Sequence, residues 1–137
     1  MKAIPDTEHT LVLRTDYADD AAWTNLCREI EKPVGEFRAY VEFLSDREYE
    51  GVTPEELVDL ASGGSDRTFM FLVDRAALSD PEHPVLVLDL SENPGSMFRV
   101  IPSEIWGVEN NLSIANMDFL EYAENADDDG VFRGFHD

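Results

Sequence analysis

The sequence holds one cysteine, two lysines and no long apolar run, and each scarcity excludes something. A lone Cys27 cannot form an internal disulfide, so nothing ties the chain to an oxidising compartment, and the expected location is the cytoplasm. No stretch approaches the roughly 18 apolar residues that span a bilayer. Met1 to Thr10 has neither the hydrophobic core nor the small-residue cleavage site of a secretory signal. Ten Lys and Arg face 30 Asp and Glu, for a net charge of −20. That balance opposes binding to nucleic acid or to anionic membranes, both of which need clustered cations. No G-x-S-x-G or phosphate-binding loop is present, since Gly63-Gly64 lacks the following Lys-Ser or Lys-Thr. His9, His83 and His136 have no metal-ligand spacing with one another or with Cys27. A complete catalytic set is therefore missing.

What is there suits a folded protein. The 137 residues are 43% apolar, enough for one domain over 1–137 with its own core. The basic side chains are mostly Arg, as in a salt-adapted surface or under GC-rich codon usage. The negative charge is uneven. Residues 42–59 hold seven acids and one Arg, and residues 118–129 hold six acids and no base. Side by side in the fold, these stretches would make one acidic face. Far apart, they would make a solubilising coat.

Leu11 to Thr15 reads as a strand. Asp19 or Asp20 can cap the helix that follows, in which Trp23, Leu26, Cys27 and Ile30 share a face until Pro33 and Gly35 stop it. Cys27 thus reads as a packing residue. Phe37 to Leu44 alternates, which predicts a half-buried strand with Phe37, Ala39, Val41 and Phe43 on the core side. Thr53-Pro54-Glu55-Glu56 is a capping box with Pro at the first helical position, opening a helix to about Ser62. Thr68 to Val73 and Val85 to Leu88 are continuously apolar, as strands covered on both faces are. Asn93-Pro94-Gly95 turns the second into a strand at Met97 to Ile101, an antiparallel hairpin. Pro102 to Trp106 makes a short helical turn. Asn116 can cap a last helix carrying Met117, Phe119, Leu120 and Ala123, and Val131 to Phe135 is a short terminal strand. The expected fold is α/β. It has a mixed five-stranded sheet with a βαβαβ start, strand order near 2-1-3, an antiparallel hairpin on one side and C-terminal helices. An α+β two-layer sandwich is the alternative.

Three places can carry chemistry. Ligands of open α/β sheets bind outside the carboxyl ends of parallel strands. There Asp16, Asp19, Asp20 and Asp74 could converge on Mg²⁺ for an enzyme or a phospho-switch. Phospho-accepting receiver domains look like this in part, but their further βα units and their Lys have no counterpart here. Helix capping explains Asp19 and Asp20 equally well. Asn125-Ala126-Asp127-Asp128-Asp129-Gly130 resembles the start of a Ca²⁺ loop. His136 stands where a bidentate Glu belongs, which favours a plain acidic turn. The densest stretch runs from Trp106 to Phe119. Trp106, Glu109, Asn110 and Asn111 are its candidate binding residues, with Arg99 beside them to pair with Glu109 or Asp118. Asn side chains can read a polar ligand, and they can equally satisfy main-chain ends.

Three pieces of the chain are similar to a known family: Val12 to Tyr17 with Trp23, His83 to Asp89, and Phe98 to Phe119. The family comprises small acidic bacterial proteins, common in high-GC genomes and labelled only as a domain of unknown function. The resemblance implies a self-contained domain and transfers no activity. It favours codon usage over salt adaptation as the source of the Arg excess. The leading expectation for function is a non-enzymatic interaction domain that offers an acidic surface to a basic protein, as immunity or inhibitor proteins do. Metal-dependent chemistry at the strand-end aspartates and a small-ligand site near Trp106 are the alternatives.

Overall fold

A computed structural model describes residues 3–61 and 66–135. Six strands form one mixed sheet. They are β1 (Thr10–Arg14), β2 (Val41–Leu44), β3 (Phe69–Val73), β4 (Val85–Asp89), β5 (Met97–Val100) and β6 (Val131–Phe132). Their spatial order is β2-β1-β3-β4-β5-β6. β1 runs parallel to β2 and β3, β4 is antiparallel to β3 and β5, and β6 returns parallel to β5. The 2-1-3 start and the hairpin follow the sequence reading. The expected sheet of five strands left out the short terminal strand, which joins it as β6, two residues long, at the far edge.

Among the described residues five α-helices flank the sheet: α1 (Asp20–Glu31), α2 (Pro54–Ala61), α3 (Arg75–Ser79), α4 (Ile105–Ser113) and α5 (Phe119–Glu124). Asp19 caps α1 by accepting from the Ala22 N–H at 3.0 Å. Thr53 and Glu56 close the capping box of α2. The expected end of α2 at Ser62 and Gly63-Gly64 lies outside the described residues. Two helices differ from expectation. The turn at Pro102–Glu104 does not stop at Trp106 but runs into α4. α5 is capped by Asp118 rather than Asn116, and the Glu121 carboxylate accepts the Asp118 N–H at 3.1 Å.

Two cores explain the apolar runs. On one face Val12, Phe71, Val87 and Phe98 pack under Trp23, Leu26, Ile105, Val108, Phe119 and Tyr122. On the other, Leu11, Leu13, Met70, Leu72 and Leu88 pack under Tyr49, Val52 and Leu57. β1, β3 and β4 are thus covered on both sides, which leaves no polar position in β3. The coverage is that of a three-layer α/β arrangement rather than a two-layer sandwich.

β2 is shorter than the alternating pattern predicts. Residues 37–40 are not strand. Val34 and Phe37 exchange backbone hydrogen bonds of 2.8 and 3.1 Å across a two-residue turn, and Gly35 at φ +64° supplies its left-handed corner. This turn and the residues up to Tyr40 form a strap that lies against α4. Phe37 consequently faces solvent, 52% exposed, instead of joining the core.

The two acidic stretches are far apart. Residues 42–59 build the β2 edge, the single turn at Arg47–Tyr49 and α2, on the face of the second core. Residues 118–129 build α5 and the turn into β6, at the opposite edge and on the opposite face. They do not merge into one acidic surface.

Candidate functional site

Glu109 is the most unusual side chain of α4. It is 3% exposed and sits in an otherwise apolar helix interior, with Ile105 and Val108 beside it. Among the described residues no cation contacts it. Four neutral donors do. On one oxygen it accepts the Tyr40 N–H at 2.7 Å and the Asn110 amide at 3.0 Å. On the other it accepts the Ser113 hydroxyl at 2.5 Å and the Thr10 hydroxyl at 3.2 Å. A buried carboxylate is tolerable when its lone pairs are filled in this way. The bonds fasten the strap and the start of β1 to α4.

Its helical neighbours act on the same strap. Asn110 also donates to the Arg38 carbonyl at 3.1 Å. Trp106 stacks on Phe37 with ring centroids 4.6 Å apart and planes 15° apart. Trp106, Glu109, Asn110 and Ser113 recur at helical spacing, which puts them on the side facing residues 37–40. Three of the sequence candidates, Trp106, Glu109 and Asn110, therefore come together. Asn111 points elsewhere. Its amide donates to the Gly107 carbonyl and the Tyr122 hydroxyl, both at 2.9 Å, and it accepts from Asn116 at 2.8 Å. It joins α4 to α5. Arg99 is farther still. It pairs with neither Glu109 nor Asp118, but forms a two-pronged ion pair with Asp74 at 2.7 and 3.0 Å and donates to the Pro84 carbonyl. The side chain of Arg99 alternates with Phe98 and Val100, so it leaves the face on which α4 packs.

The strand-end aspartates do not converge. Asp16 accepts from the Ala18 N–H, Asp19 caps α1, and Asp20 pairs with Arg14 at 2.7 Å. Asp74 is held by Arg99 and accepts the Ala77 N–H. Among the described residues, no group of three His, Cys, Asp or Glu is placed to hold a metal ion. Each of these carboxylates is engaged by a separate local partner instead. Asp127 and Asp129 both bind Arg133, at 2.8 and 2.7 Å, and Arg133 also binds Glu82. His136 lies outside the described residues.

Two of these groups make predictions. Burial opposes ionisation of Asp74, but hydrogen bonds from Arg99 and Ala77 and the charge of Arg99 outweigh it, and the carboxyl titrates below its usual range. A carboxyl with a depressed folded-state value contributes stability that is fully present above its unfolded value. That stability is lost as pH falls through the folded value. Denaturation midpoints should thus decline below about pH 4, the ordinary Asp value. Asp74→Asn should lack this part of the decline. For Cys27, burial first and the charge of Glu31 second push the thiol up to about 12. A thiol reagent at pH 8 should label it slowly in the native protein and rapidly in denaturant.

What remains open to solvent is an apolar patch on and around the strap. Val34 is 41% exposed, Tyr40 49% and Ile114 73%, beside Phe37. A cleft of about 360 Å³ lies between His9, Tyr40, Asn110 and Ile114. The strap leads directly into β2, which among the described residues pairs with β1 alone and has its outer side unpaired. A family model described as a domain of unknown function, DUF6924, matches residues 9–135. The chain belongs to this family. No curated protein matches it. The DUF6924 segment includes all six strands, the strap and α4, so the patch and the clamp beneath it lie within the family's own unit.

Sequence reasoning placed Phe37 in the core and missed Tyr40. The available signal was Pro33-Val34-Gly35-Glu36, read only as the stop of α1 although it also encodes a tight turn. A second signal was the acid at 109 among apolar helix positions, which needed donors from outside its helix. Among the described residues, no helix is long and apolar enough to cross a membrane.

Proposed function

We propose that this chain is a non-enzymatic interaction domain of the bacterial cytoplasm. It would bind a basic protein through the strap and the acidic elements that follow it, as immunity or inhibitor proteins do. The observation that carries this reading is the patch of half-exposed Val34, Phe37 and Tyr40, held out on α4 and continuous with the stretch 42–59. A coat that only solubilises needs charge but no aromatic rings in water. Aromatic anchors within a charged rim are what protein interfaces use. The second acidic stretch contributes less, because Arg133 neutralises part of it.

The other readings lose support. Small-ligand binding at Trp106 needed free Asn amides, and those of Asn110 and Asn111 are engaged internally. Metal chemistry needed converging aspartates. The test is affinity capture on the immobilised protein from a lysate of the source organism, in low and in high salt, followed by titration of the recovered partner. The expected partner is basic, is lost at high salt and is lost with the Phe37→Ala/Tyr40→Ala double variant. Recovery of no salt-sensitive partner, or a partner indifferent to both substitutions, overturns the proposal.

A further inference from the structure

We infer that the unpaired edge of β2 accepts an extended Lys- or Arg-bearing segment of the partner as an added strand, an inference that rests on the interaction reading above. The Tyr40 carbonyl accepts the Thr10 N–H at 3.2 Å, so Tyr40 directs its carbonyl at β1. Main-chain groups alternate along a strand. Val41 and Phe43 therefore turn their N–H and carbonyl groups outward, as a ready template for a further strand.

Charge selects the occupant. The segment 36–50 carries five carboxylates against Arg38 and Arg47. Both cations are engaged by neighbours at the surface, Arg38 over the Tyr40 ring and Arg47 on Tyr17 and Glu50, so the carboxylates stay in excess along the edge. The same carboxylates repel a second copy of a chain with a net charge of −20 and attract a basic strand. At the entry to the edge, Phe37 and Tyr40 offer an apolar shelf for the alternate side chains of the added segment. The opposite edge is poorer. β6 is two residues long, and Arg133 stands immediately after it.

Two synthetic peptides test the inference with the full chain. One is a capped octapeptide of alternating Lys and Val. The other is the same peptide with every backbone nitrogen methylated, which keeps the charge and removes the donors. Each is titrated by fluorescence polarisation at low salt, and amide exchange is followed at Val41 and Phe43. The expected result is binding of the unmethylated peptide about tenfold or more tighter, as a few added main-chain hydrogen bonds imply, with slowed exchange at both amides. Val41→Pro, which removes an outward donor at an edge where Pro is tolerated, should abolish the difference. If that variant does not fold, the methylated peptide still decides. Equal binding of both peptides without protection of Val41 and Phe43 overturns strand addition and leaves the interaction reading intact. Binding of neither peptide overturns both. A concentration-dependent dimer that protects the same amides assigns the edge to a second copy and also overturns the inference.

Discussion

Glu109→Ala is expected to cost about 3 kcal/mol or more of stability, which is a large share of the 5–15 kcal/mol typical of a domain this size. The reason is not the loss of one contact. The substitution leaves the Tyr40 N–H without its acceptor and takes from the Asn110 amide one of its two, and it opens a void at a position 3% exposed. Leaving donors in this half-buried contact unmatched costs more than the bonds contribute when made. Glu109→Gln separates these effects. Its carbonyl oxygen can still accept from Tyr40, and the hydroxyls of Thr10 and Ser113 can rotate to accept from its amide. It should lose only about 1 kcal/mol. Urea denaturation of both variants is the check. An alanine variant within about 1 kcal/mol of the parent would mean that Glu109 is not the clamp.

Arg14→Ala is expected to be nearly as severe, at about 3 kcal/mol. The side chain of Arg14 is 4% exposed although it carries a charge. Its guanidinium lies 4.2 Å from the Tyr17 ring centre and 5.5 Å from that of Trp23. Its Nε donates to the Asp16 carbonyl at 2.8 Å. The ion pair with Asp20 is the smaller part, because Asp20 is 82% exposed and water screens it. Asp20→Ala should therefore change stability by less than about 1 kcal/mol. Arg14→Lys keeps the charge but loses the planar fork and much of the stacking, so it should fall between the two. If Asp20→Ala proved as costly as Arg14→Ala, the ion pair would be the dominant contribution, against this account.

The elements that the sequence encodes locally were legible. The continuous apolar runs at 69–73 and 85–88 have no polar face to expose, so double coverage followed directly. Thr53-Pro54-Glu55-Glu56 carries its own capping chemistry, and α2 begins there. What depended on distant partners was not legible. The pattern from Phe37 to Leu44 alternates correctly for a strand, but the Tyr40 N–H goes to a residue 69 positions away, and that bond withdraws the first half of the run from the sheet. Arg99 could be paired with several acids by proximity in sequence, and only the sheet register brings it to Asp74. The candidate site shows the same division. Trp106, Glu109 and Asn110 stood out by composition, whereas the exposed surface they support is made by Phe37 and Tyr40, which the strand pattern had assigned to core and flank.

The central claim is that Glu109 holds the strap of residues 33–40 on α4 and so builds the aromatic patch beside the β2 edge. Amide exchange at Tyr40, in the parent and in Glu109→Ala, tests it most directly, with Val12 and Phe71 as reporters of the sheet. The account predicts a Tyr40 amide protected in the parent and exchanging much faster in the variant, while Val12 and Phe71 remain protected. A Tyr40 amide that exchanges at the unfolded rate in the parent, or that stays equally protected without the Glu109 carboxylate, would contradict it.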